Sequence, residues 1–352
     1  MDALSASAVK ESMMKIASWN IEWMNHWFTG DSGPAQWRSA AQIRGVSDID
    51  SLAQRVAAVI QSMAADVLLI QEGPSRKAEL ALFVDDYLNG DYDIVGPSGS
   101  GQQKLYALIR KGGAVVSFER AYSSGEIDLD ASWRVGIDGT ILDGRLQLEE
   151  YQFTRAPLML DIFDGKHTIR VINLHLKSKY IHKGQRMWSN PETRPAFIVE
   201  AVKVRRRISA EAMRIREYLN ELMEQDDEMR VVVCGDFNDG PGTDFFERQY
   251  LTHNLVATIA GNPCAPRRMF RHGFADRVDK RENFTAIFDD FIDEVNGRKV
   301  LLDHILVSPG LYWKLRDGTI DHQAFALGVD NTLPGSREKL PSDHRPQWVS
   351  FA

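Results

Sequence analysis

Short apolar runs, separated by longer amphipathic stretches, are the feature that most constrains how this chain can fold. The runs have the length of buried strands. They cover residues 15–21, 67–71, 106–110, 156–163, 169–175, 231–234, 301–307 and 347–351. Between them, apolar residues recur at helical spacing over residues 51–63 and 195–224, which predicts two helices. Strands that alternate with helices predict an α/β layered fold.

The composition is that of a folded globular domain. The chain has 352 residues, of which 43% are hydrophobic and 26% are charged. Because no repeat or flexible linker divides the sequence, we expect residues 15–352 to form a single domain. We expect residues 1–14 to be a flexible N-terminal extension.

The sequence excludes several other classes of protein. Cys234 and Cys264 are the two cysteines, and they offer neither a zinc-ligand spacing nor a disulfide framework. No run reaches the ~18 apolar residues of a membrane span, and no signal-peptide core stands out. We therefore expect a cytoplasmic protein without stable membrane association, and we predict no protein partner.

Polar side chains end, follow or interrupt most of the apolar runs. They are Asn20, Glu22, Glu72, His175, Asp236, Asn238, Asp303, His304, Asp343 and His344. Because strand ends on one rim of a sheet lie close together, these side chains are predicted to form one pocket. Each also has a structural explanation: His175 alone could be a buried core histidine, and Asp236 with Asn238 could form an Asx turn. Their recurrence in the same setting favours a functional site.

These residue types suit the hydrolysis of a phosphate ester. Carboxylate and amide oxygens are hard ligands that suit Mg²⁺ or Mn²⁺, and histidines can move protons near neutral pH. Such hydrolysis needs a metal on a nonbridging oxygen, a base for water and charge stabilisation at the leaving oxygen. Since no serine or cysteine has the setting of a nucleophile, direct attack by water is the simpler scheme.

Six segments, in the same order, resemble the endonuclease/exonuclease/phosphatase superfamily, which includes deoxyribonucleases, apurinic endonucleases, neutral sphingomyelinases and inositol polyphosphate phosphatases. The segments are IASWNIE at 16–22, VLLIQE at 67–72, VINLHLKS at 171–178, CGDFN at 234–238, LDHILV at 302–307 and SDHRP at 342–346. The resemblance implies a four-layer α/β sandwich, in which two central mixed β-sheets are flanked by helices and the site lies at the strand ends.

The resemblance also implies the cofactor and the groups that hold it. Asn20, Glu72 and Asp343 would form the metal side, with Mg²⁺ or Mn²⁺ as the cofactor. The catalytic residues that it implies are His175, Asp236, Asn238, Asp303 and His344.

Each catalytic residue has an implied role. Asp236 and Asn238 would face the phosphate and the attacking water. Asp303 would orient His344, and His175 would assist the leaving oxygen on the other side of the phosphate. Either Asp236 or His344 would take the proton from water, and the sequence leaves this choice open.

Three further residues are predicted to contact the substrate or its neighbours. Arg155 lies where deoxyribonuclease-like members carry a phosphate-contacting arginine, and a surface salt bridge is the alternative. Lys177 is a basic residue beside His175. Gln103 stands where related enzymes carry tyrosine or glutamate, and its amide could orient His175. The segment 25–49 is longer than a minimal connection and is predicted to be a substrate-side loop.

The basic residues around His175 favour a nuclease that cleaves DNA or RNA. They are Lys177, Lys179, His182, Lys183, Arg186 and Arg194, with Tyr180 and Trp188 between them. Basic groups neutralise phosphates, and aromatic rings stack on bases. The arginines at 205–207, 214 and 216 could add to this charge, although a solvated helix face is the favoured interpretation.

Two other functions remain open. The net charge of -7 favours a phosphatase or phosphodiesterase that acts on a small molecule or a lipid headgroup. A noncatalytic binding module is disfavoured, because such proteins usually lose a metal-binding or proton-transfer residue and all of those residues are present here.

Overall fold

Two six-stranded sheets with helices on their outer faces make up the protein. The computed structural model describes residues 13–352 except 31, 42–44, 100, 124, 143–144, 241–243, 251–253 and 275–277. Most of the predicted N-terminal extension lies outside the described residues, whereas Met14 belongs to the first strand.

The strands are numbered in chain order. They are β1 Met14–Asn20, β2 Val67–Gly73, β3 Tyr92–Ser98, β4 Lys104–Arg110, β5 Ser117–Ala121, β6 Trp133–Leu142, β7 Arg145–Tyr151, β8 Leu158–Phe163, β9 Thr168–His175, β10 Val231–Asp236, β11 Arg271–His272, β12 Ala286–Asp290, β13 Val295–Val300, β14 Asp303–Val307, β15 Leu315–Ile320 and β16 Gln347–Phe351.

The helices lie between these strands. They are α1 Ile49–Met63, α2 Lys77–Tyr87, α3 Gly184–Ser189, α4 Arg194–Gln225, α5 Phe245–Tyr250, α6 Leu255–Ala260, α7 Pro309–Tyr312 and α8 His322–Leu327, with 3-10 turns at Met24–Trp27 and Pro266–Arg268. Within the described residues, none of these helices combines the length and the apolar character that a membrane crossing requires.

Both main sheets are mixed. The first has the strand order β15-β16-β1-β2-β4-β3, and the second has the order β11-β14-β10-β9-β8-β5. β1 and β2 are parallel, as are β9 and β10, whereas β16 pairs antiparallel with β1 and β14 pairs antiparallel with β10. Two hairpins, β6–β7 and β12–β13, form separate two-stranded sheets.

Alternating side chains divide the core into layers. In β2, Val67 and Leu69 face the space between the sheets, whereas Leu68 and Ile70 pack with α1 and α2. The second sheet is divided in the same way, with Val232 in the inter-sheet core and the opposite face covered by α4 and α6. The resulting order of helix, sheet, sheet and helix confirms the four-layer α/β sandwich.

The eight predicted strands and two predicted helices are all present, with ends that differ by one or two residues at most positions. Strands such as β5 escape prediction because they lie at a sheet edge and expose most of their side chains. Their pattern therefore lacks the continuous apolar run of a buried strand.

The predicted substrate-side loop at 25–49 packs, through three of its described aromatic residues, against the outer helices. Trp27 and Phe28 are buried with α1 and α2. Trp37 stacks on Phe28 with ring centroids 4.6 Å apart and donates to Asp86 Oδ2 at 2.8 Å. These aromatic rings complete the outer helical layer, and the position of the segment on the substrate side stays a prediction.

Two of the arginines of α4 do not lie on the expected solvated face. Arg205 is 5% exposed and pairs with Asp244, and Arg216 is 6% exposed and donates to the Ile259 carbonyl at 3.0 Å. These two cations are buried where α4 packs on the segments that follow β10, and their guanidinium groups bind acceptors there. They are therefore unavailable as a basic surface for nucleic acid.

Removing side-chain volume from the inter-sheet core should destabilise the protein. Leu69 is fully buried between the sheets, so Leu69→Ala should lower the free energy of unfolding by about 2–5 kcal/mol in urea titrations. Leu327→Ala is a matched control, because Leu327 is 61% exposed and its truncation should cost less than about 0.5 kcal/mol. Equal losses for the two variants would contradict this layer assignment.

Candidate active site

The predicted site residues converge at one end of the space between the sheets. Asn20 ends β1, His175 ends β9 and Asp236 ends β10. Because β14 runs antiparallel to β10, its first residue, Asp303, pairs in register with Asp236. The antiparallel pairing of β16 with β1 brings His344 to the same end. Strand direction thus explains why residues from distant parts of the chain meet.

A buried polar contact joins the sheets just below this end. Gln71 of the first sheet donates from Nε2 to Asn173 Oδ1 of the second at 2.6 Å and to Ser18 Oγ at 3.1 Å. Asn173 donates back to the carbonyls of Ile70 at 3.0 Å and Tyr106 at 3.2 Å. Since β2 leads directly into Glu72 and β9 into His175, these bonds fix the separation of the two strand ends.

The segment that carries Asp343 and His344 is held by β1. Ser342 donates from Oγ to the Asn20 carbonyl at 2.7 Å and accepts from the His344 backbone N–H at 3.0 Å. Trp19 donates from Nε1 to the His344 carbonyl at 2.9 Å. The backbone of this segment is therefore fixed from both sides, and its side chains project into the site.

The end of β10 requires glycine. Gly235 has φ 132°, and a Cβ there would lie 2.0 Å from the Leu174 carbonyl oxygen. Beyond it, Asp236 Oδ1 accepts from the Asn238 backbone N–H at 2.8 Å, and Asn238 donates from Nδ2 to the Leu176 carbonyl at 3.1 Å. The Asx turn is present, and it turns Asp236 Oδ2 into the site.

Glu72 is the carboxylate that the first sheet contributes from β2, and we call this part of the site the acidic wall. It has φ 57°, a left-handed conformation that is uncommon for a side-chain-bearing residue. Its carboxylate accepts from the Trp23 backbone N–H at 2.9 Å and from Asn20 Nδ2 at 3.3 Å. Burial, together with the nearby carboxylate of Asp343, raises the pKa of Glu72. A cation beside Glu72 would offset the unfavourable free energy of burying its negative charge next to that of Asp343.

Asn20 holds the acids together through its nitrogen. Its Oδ1 accepts from the Glu22 backbone N–H at 2.9 Å, and its Nδ2 donates to Asp236 Oδ2 at 3.0 Å as well as to Glu72. Because the Glu22 N–H can only donate, the amide orientation is fixed by its surroundings. The predicted metal-side residue thus presents N–H groups, not its oxygen, to the carboxylates.

Asp343 lies beside two further charged residues that the sequence analysis did not assign a role. Arg337 donates to Asp343 Oδ2 at 2.7 Å and also to Glu22, whose second oxygen accepts from the Asp343 backbone N–H at 2.9 Å. Burial by itself would raise the pKa of Asp343, but His344 and Arg337 outweigh it and lower that pKa to about 2. Arg337 lies in an irregular segment with no motif, so the sequence offered no signal for it.

Asp236 occupies the centre of the site, between two histidines. Its Oδ2 lies 3.5 Å from His175 Nε2 and 4.0 Å from His344 Nε2. His344 Nδ1 is 2.7 Å from Asp303 Oδ2, which fixes the orientation of the ring. Burial and the nearby Asp303 raise the pKa of Asp236 to about 7.

The two histidines differ in charge. Burial, reinforced by Arg155, lowers the pKa of His175 well below its ordinary value, so its ring is neutral at neutral pH. Burial also opposes charge on His344, but Asp303, Asp343 and Asp236 outweigh it and raise the pKa of His344 well above its ordinary value. The site therefore holds one neutral imidazole and one imidazolium.

Gln103 and Arg155 extend the site on the side of Glu72. Gln103 donates from Nε2 to Glu72 and accepts at Oε1 from Arg155 at 2.7 Å. The suggested bond from Gln103 to His175 is absent from the described contacts, and His175 Nδ1 is buried without a hydrogen-bond partner there. Arg155 forms no ion pair among the described residues, and its second terminal nitrogen is buried and unpartnered, which argues against a surface salt bridge.

The basic residues after His175 separate into two kinds. Lys177 donates from Nζ to the Ser178 carbonyl at 3.3 Å, and burial, together with Arg155, lowers its pKa. Lys179 instead binds Asp239 at 2.5 Å and Glu247 at 2.7 Å. Lys177 lies close enough to His175 to help lower the pKa of that histidine, whereas Lys179 ties the turn after β10 to its surroundings.

The site has the groups that a hard divalent ion needs. Among the described residues, Asp343 Oδ1 is buried without a hydrogen-bond partner, and it shares this side of the site with the buried carboxylates of Glu22 and Glu72. A second possible set consists of Asp236, Asp303 and His344, which offer ligand atoms within 4.8 Å of one another. Oxygen-rich donors of this kind suit Mg²⁺ or Mn²⁺.

Comparison with known proteins identifies the family through a family model. The model of the Endonuclease/Exonuclease/phosphatase family matches residues 17–344. No curated protein matches the chain.

Among solved structures, truncated TDP2 of Caenorhabditis elegans is similar over 97% of this chain and 98% of that chain, with 17% identity and a TM-score of 0.52. Another structure of Caenorhabditis elegans TDP2 is similar over 97% of this chain and 75% of that chain, with 18% identity and a TM-score of 0.50. At this identity, the structural likeness shows the fold alone. The family match over nearly the whole chain shows that the protein belongs to the endonuclease/exonuclease/phosphatase family, and this membership supports phosphoester hydrolysis as its reaction class.

Proposed function

We propose that the protein is a metal-dependent phosphodiester hydrolase, and specifically a nuclease that cleaves DNA or RNA by direct attack of water. The observation that carries the proposal is the position of Asp236. Its Oδ2, which accepts from Asn20 Nδ2, lies between a neutral histidine at 3.5 Å and a charged histidine at 4.0 Å, close to the carboxylate of Glu72. A phosphate placed among these groups meets a base and hydrogen-bond donors on opposite sides.

Glu72 and Asp343 are the proposed metal ligands, and Asn20 positions Glu72 through its Nδ2. The bound ion would lower the pKa of water and neutralise charge on a nonbridging phosphate oxygen. The alternative set around His344 is less suitable, because Asp303 already occupies His344 Nδ1 at 2.7 Å. An imidazolium cannot act as a metal ligand.

The same geometry supports a proposal for the proton transfers. Asp236 is the proposed base, because its pKa of about 7 lets it accept a proton from water near neutrality. His344, held as an imidazolium by Asp303, donates hydrogen bonds to a phosphate oxygen. Asn238 orients the water beside Asp236, and the neutral ring of His175 donates a hydrogen bond to the leaving oxygen.

Nucleic acid is the proposed substrate class. Arg155 and Lys177 are the cations that face the site, and Tyr180 is 72% exposed close to them in sequence. Trp23 is 37% exposed, and its backbone is bonded directly to Glu72. Phosphate-binding cations beside exposed aromatic rings suit a polynucleotide, whose bases can stack on the rings.

A small-molecule or lipid-headgroup phosphoesterase is the second candidate. The observation that favours it is the internal use of Lys179, Arg205 and Arg216, which leaves less free basic surface than the sequence suggests. Incubation with plasmid, single-stranded DNA, RNA, inositol phosphates, sphingomyelin and bis-(4-nitrophenyl) phosphate, with Mg²⁺ or Mn²⁺ and with chelator, separates the two. Cleavage of inositol phosphates or sphingomyelin without cleavage of nucleic acid would overturn the nuclease proposal.

Removing the charge of Glu72 should impair metal use. Glu72→Gln keeps the size of the side chain but should weaken Mg²⁺ or Mn²⁺ binding by at least the ~10–100-fold that outer-shell partners contribute. Hydrolysis assayed over a metal titration should be lost at low metal and partly rescued at high metal. Glu119→Gln, at an exposed position of β5, is the control and should behave as wild type. If the metal dependence of Glu72→Gln were the same as that of wild type, Glu72 would not be a metal ligand.

Each histidine should be needed for turnover. His175→Ala and His344→Ala should each lower kcat by ~10²–10⁴-fold at saturating metal. His322→Ala is the matched control, since His322 is half-buried and bonds the Glu282 carbonyl at 2.7 Å outside the site. If both site variants kept activity close to that of His322→Ala, the proposed mechanism would be wrong.

A further inference from the structure

We propose that Arg337 is a built-in counter-cation that limits the site to one divalent ion. Its guanidinium lies between Glu22 and Asp343, where a second ion would have to bind. The inference rests on the proposed function only in assuming that the Glu72 side takes up a metal.

One guanidinium nitrogen of Arg337 serves two carboxylates. It donates to Glu22, which follows β1, and to Asp343 Oδ2 at 2.7 Å, just before β16. Glu22 is 4% exposed and has φ 52°, so its backbone adopts an uncommon conformation that directs the carboxylate inward. A buried carboxylate in this position requires a cation partner, and Arg337 supplies it.

The segment that carries Arg337 is firmly attached to α1. Arg55 donates to the carbonyls of Gly328 at 3.0 Å and Lys339 at 2.9 Å, and the Asp330 backbone N–H donates to the Lys339 carbonyl at 2.9 Å. The backbone position of Arg337 is therefore set by the fold and does not depend on the carboxylates that it contacts.

The Arg337 side chain is more accessible than the carboxylates it binds. It is 42% exposed, against 5% for the Glu22 side chain and 26% for that of Asp343. An ion from solvent would therefore meet the guanidinium before it met the carboxylates. The guanidinium of Arg337 and a divalent ion would therefore compete for the carboxylate oxygens of Glu22 and Asp343.

The charges on this side of the site also favour a single divalent ion. Glu22, Glu72 and Asp343 are the carboxylates of this side, and one divalent ion with one guanidinium balances their charge. A second divalent ion added beside Arg337 would leave excess positive charge at short range, which is unfavourable in a partly buried site. Without Arg337, one oxygen of Glu22 and Oδ2 of Asp343 lose the cation that they bind, and a second ion can take its place.

The test is a Mn²⁺ titration of the full chain without substrate, followed by calorimetry and by electron paramagnetic resonance of free Mn²⁺. Wild type should bind one ion. Arg337→Gln should bind two, and its affinity for the second ion should exceed that of wild type by at least about tenfold. Arg337→Lys keeps the charge and should bind one ion. Glu22→Gln combined with Arg337→Gln should also bind one, because a ligand of the second ion is lost.

Arg298→Gln is the matched control. Arg298 also bridges two carboxylates, Asp290 at 3.0 Å and Asp293 at 2.8 Å, but it lies in the β12–β13 hairpin. Its removal should leave the number of bound ions unchanged. A second ion in Arg298→Gln would show that any exposed acid pair gains one, which would overturn the special role of Arg337.

The outcomes separate this inference from the proposed function. If wild type binds no Mn²⁺, the proposed metal dependence fails. If wild type binds one ion and Arg337→Gln binds one with equal or weaker affinity, the metal proposal stands and the counter-cation role is wrong. Should Arg337→Gln not fold, as judged by circular dichroism, Arg337→Met provides the same measurement with an uncharged side chain of similar length.

Discussion

The hydrogen bond from Asn20 Nδ2 to Asp236 Oδ2, at 3.0 Å, is the contact on which the arrangement of the site depends. It joins the end of β1 in the first sheet to the end of β10 in the second. The same amide group also holds Glu72, so one side chain sets the spacing between the acidic wall and the central carboxylate. Below it, the bonds between Gln71 and Asn173 keep the sheets in register. Because these groups are buried, leaving any of them unpaired would be costly, which favours a single arrangement.

Much of the fold was accessible from the sequence because buried strands leave a clear pattern. Val67 to Ile70 and Val231 to Cys234 are continuous apolar runs, and their ends carry the polar side chains that the structure brings together. The motif segments also placed His175, Asp236 and His344 near one another. Edge strands and short helices were not predicted, since their exposed residues follow no apolar period.

The parts of the site that escaped prediction depend on tertiary contacts without a local pattern. Arg337 lies in an irregular segment, and tertiary contacts of that segment, such as those with Arg55 of α1, bring it to Asp343. The orientation of the Asn20 amide depends on the backbone of Glu22, which a sequence motif does not describe. Lys179 looked like a phosphate-binding group, but acids from the turn after β10 surround it. In each case, the sequence gives the residue type, but the contact that the residue makes follows no local pattern.

The central claim is that a hard divalent ion binds on the side of Glu72 and Asp343, next to a phosphate held by Asp236 and His344. Anomalous diffraction from crystals soaked with Mn²⁺ and a nonhydrolysable phosphodiester tests it most directly. The account predicts one manganese peak in contact with the carboxylates of Glu72 and Asp343, and a phosphate between His175 and His344. A peak among Asp236, Asp303 and His344, or no peak at all, would contradict it.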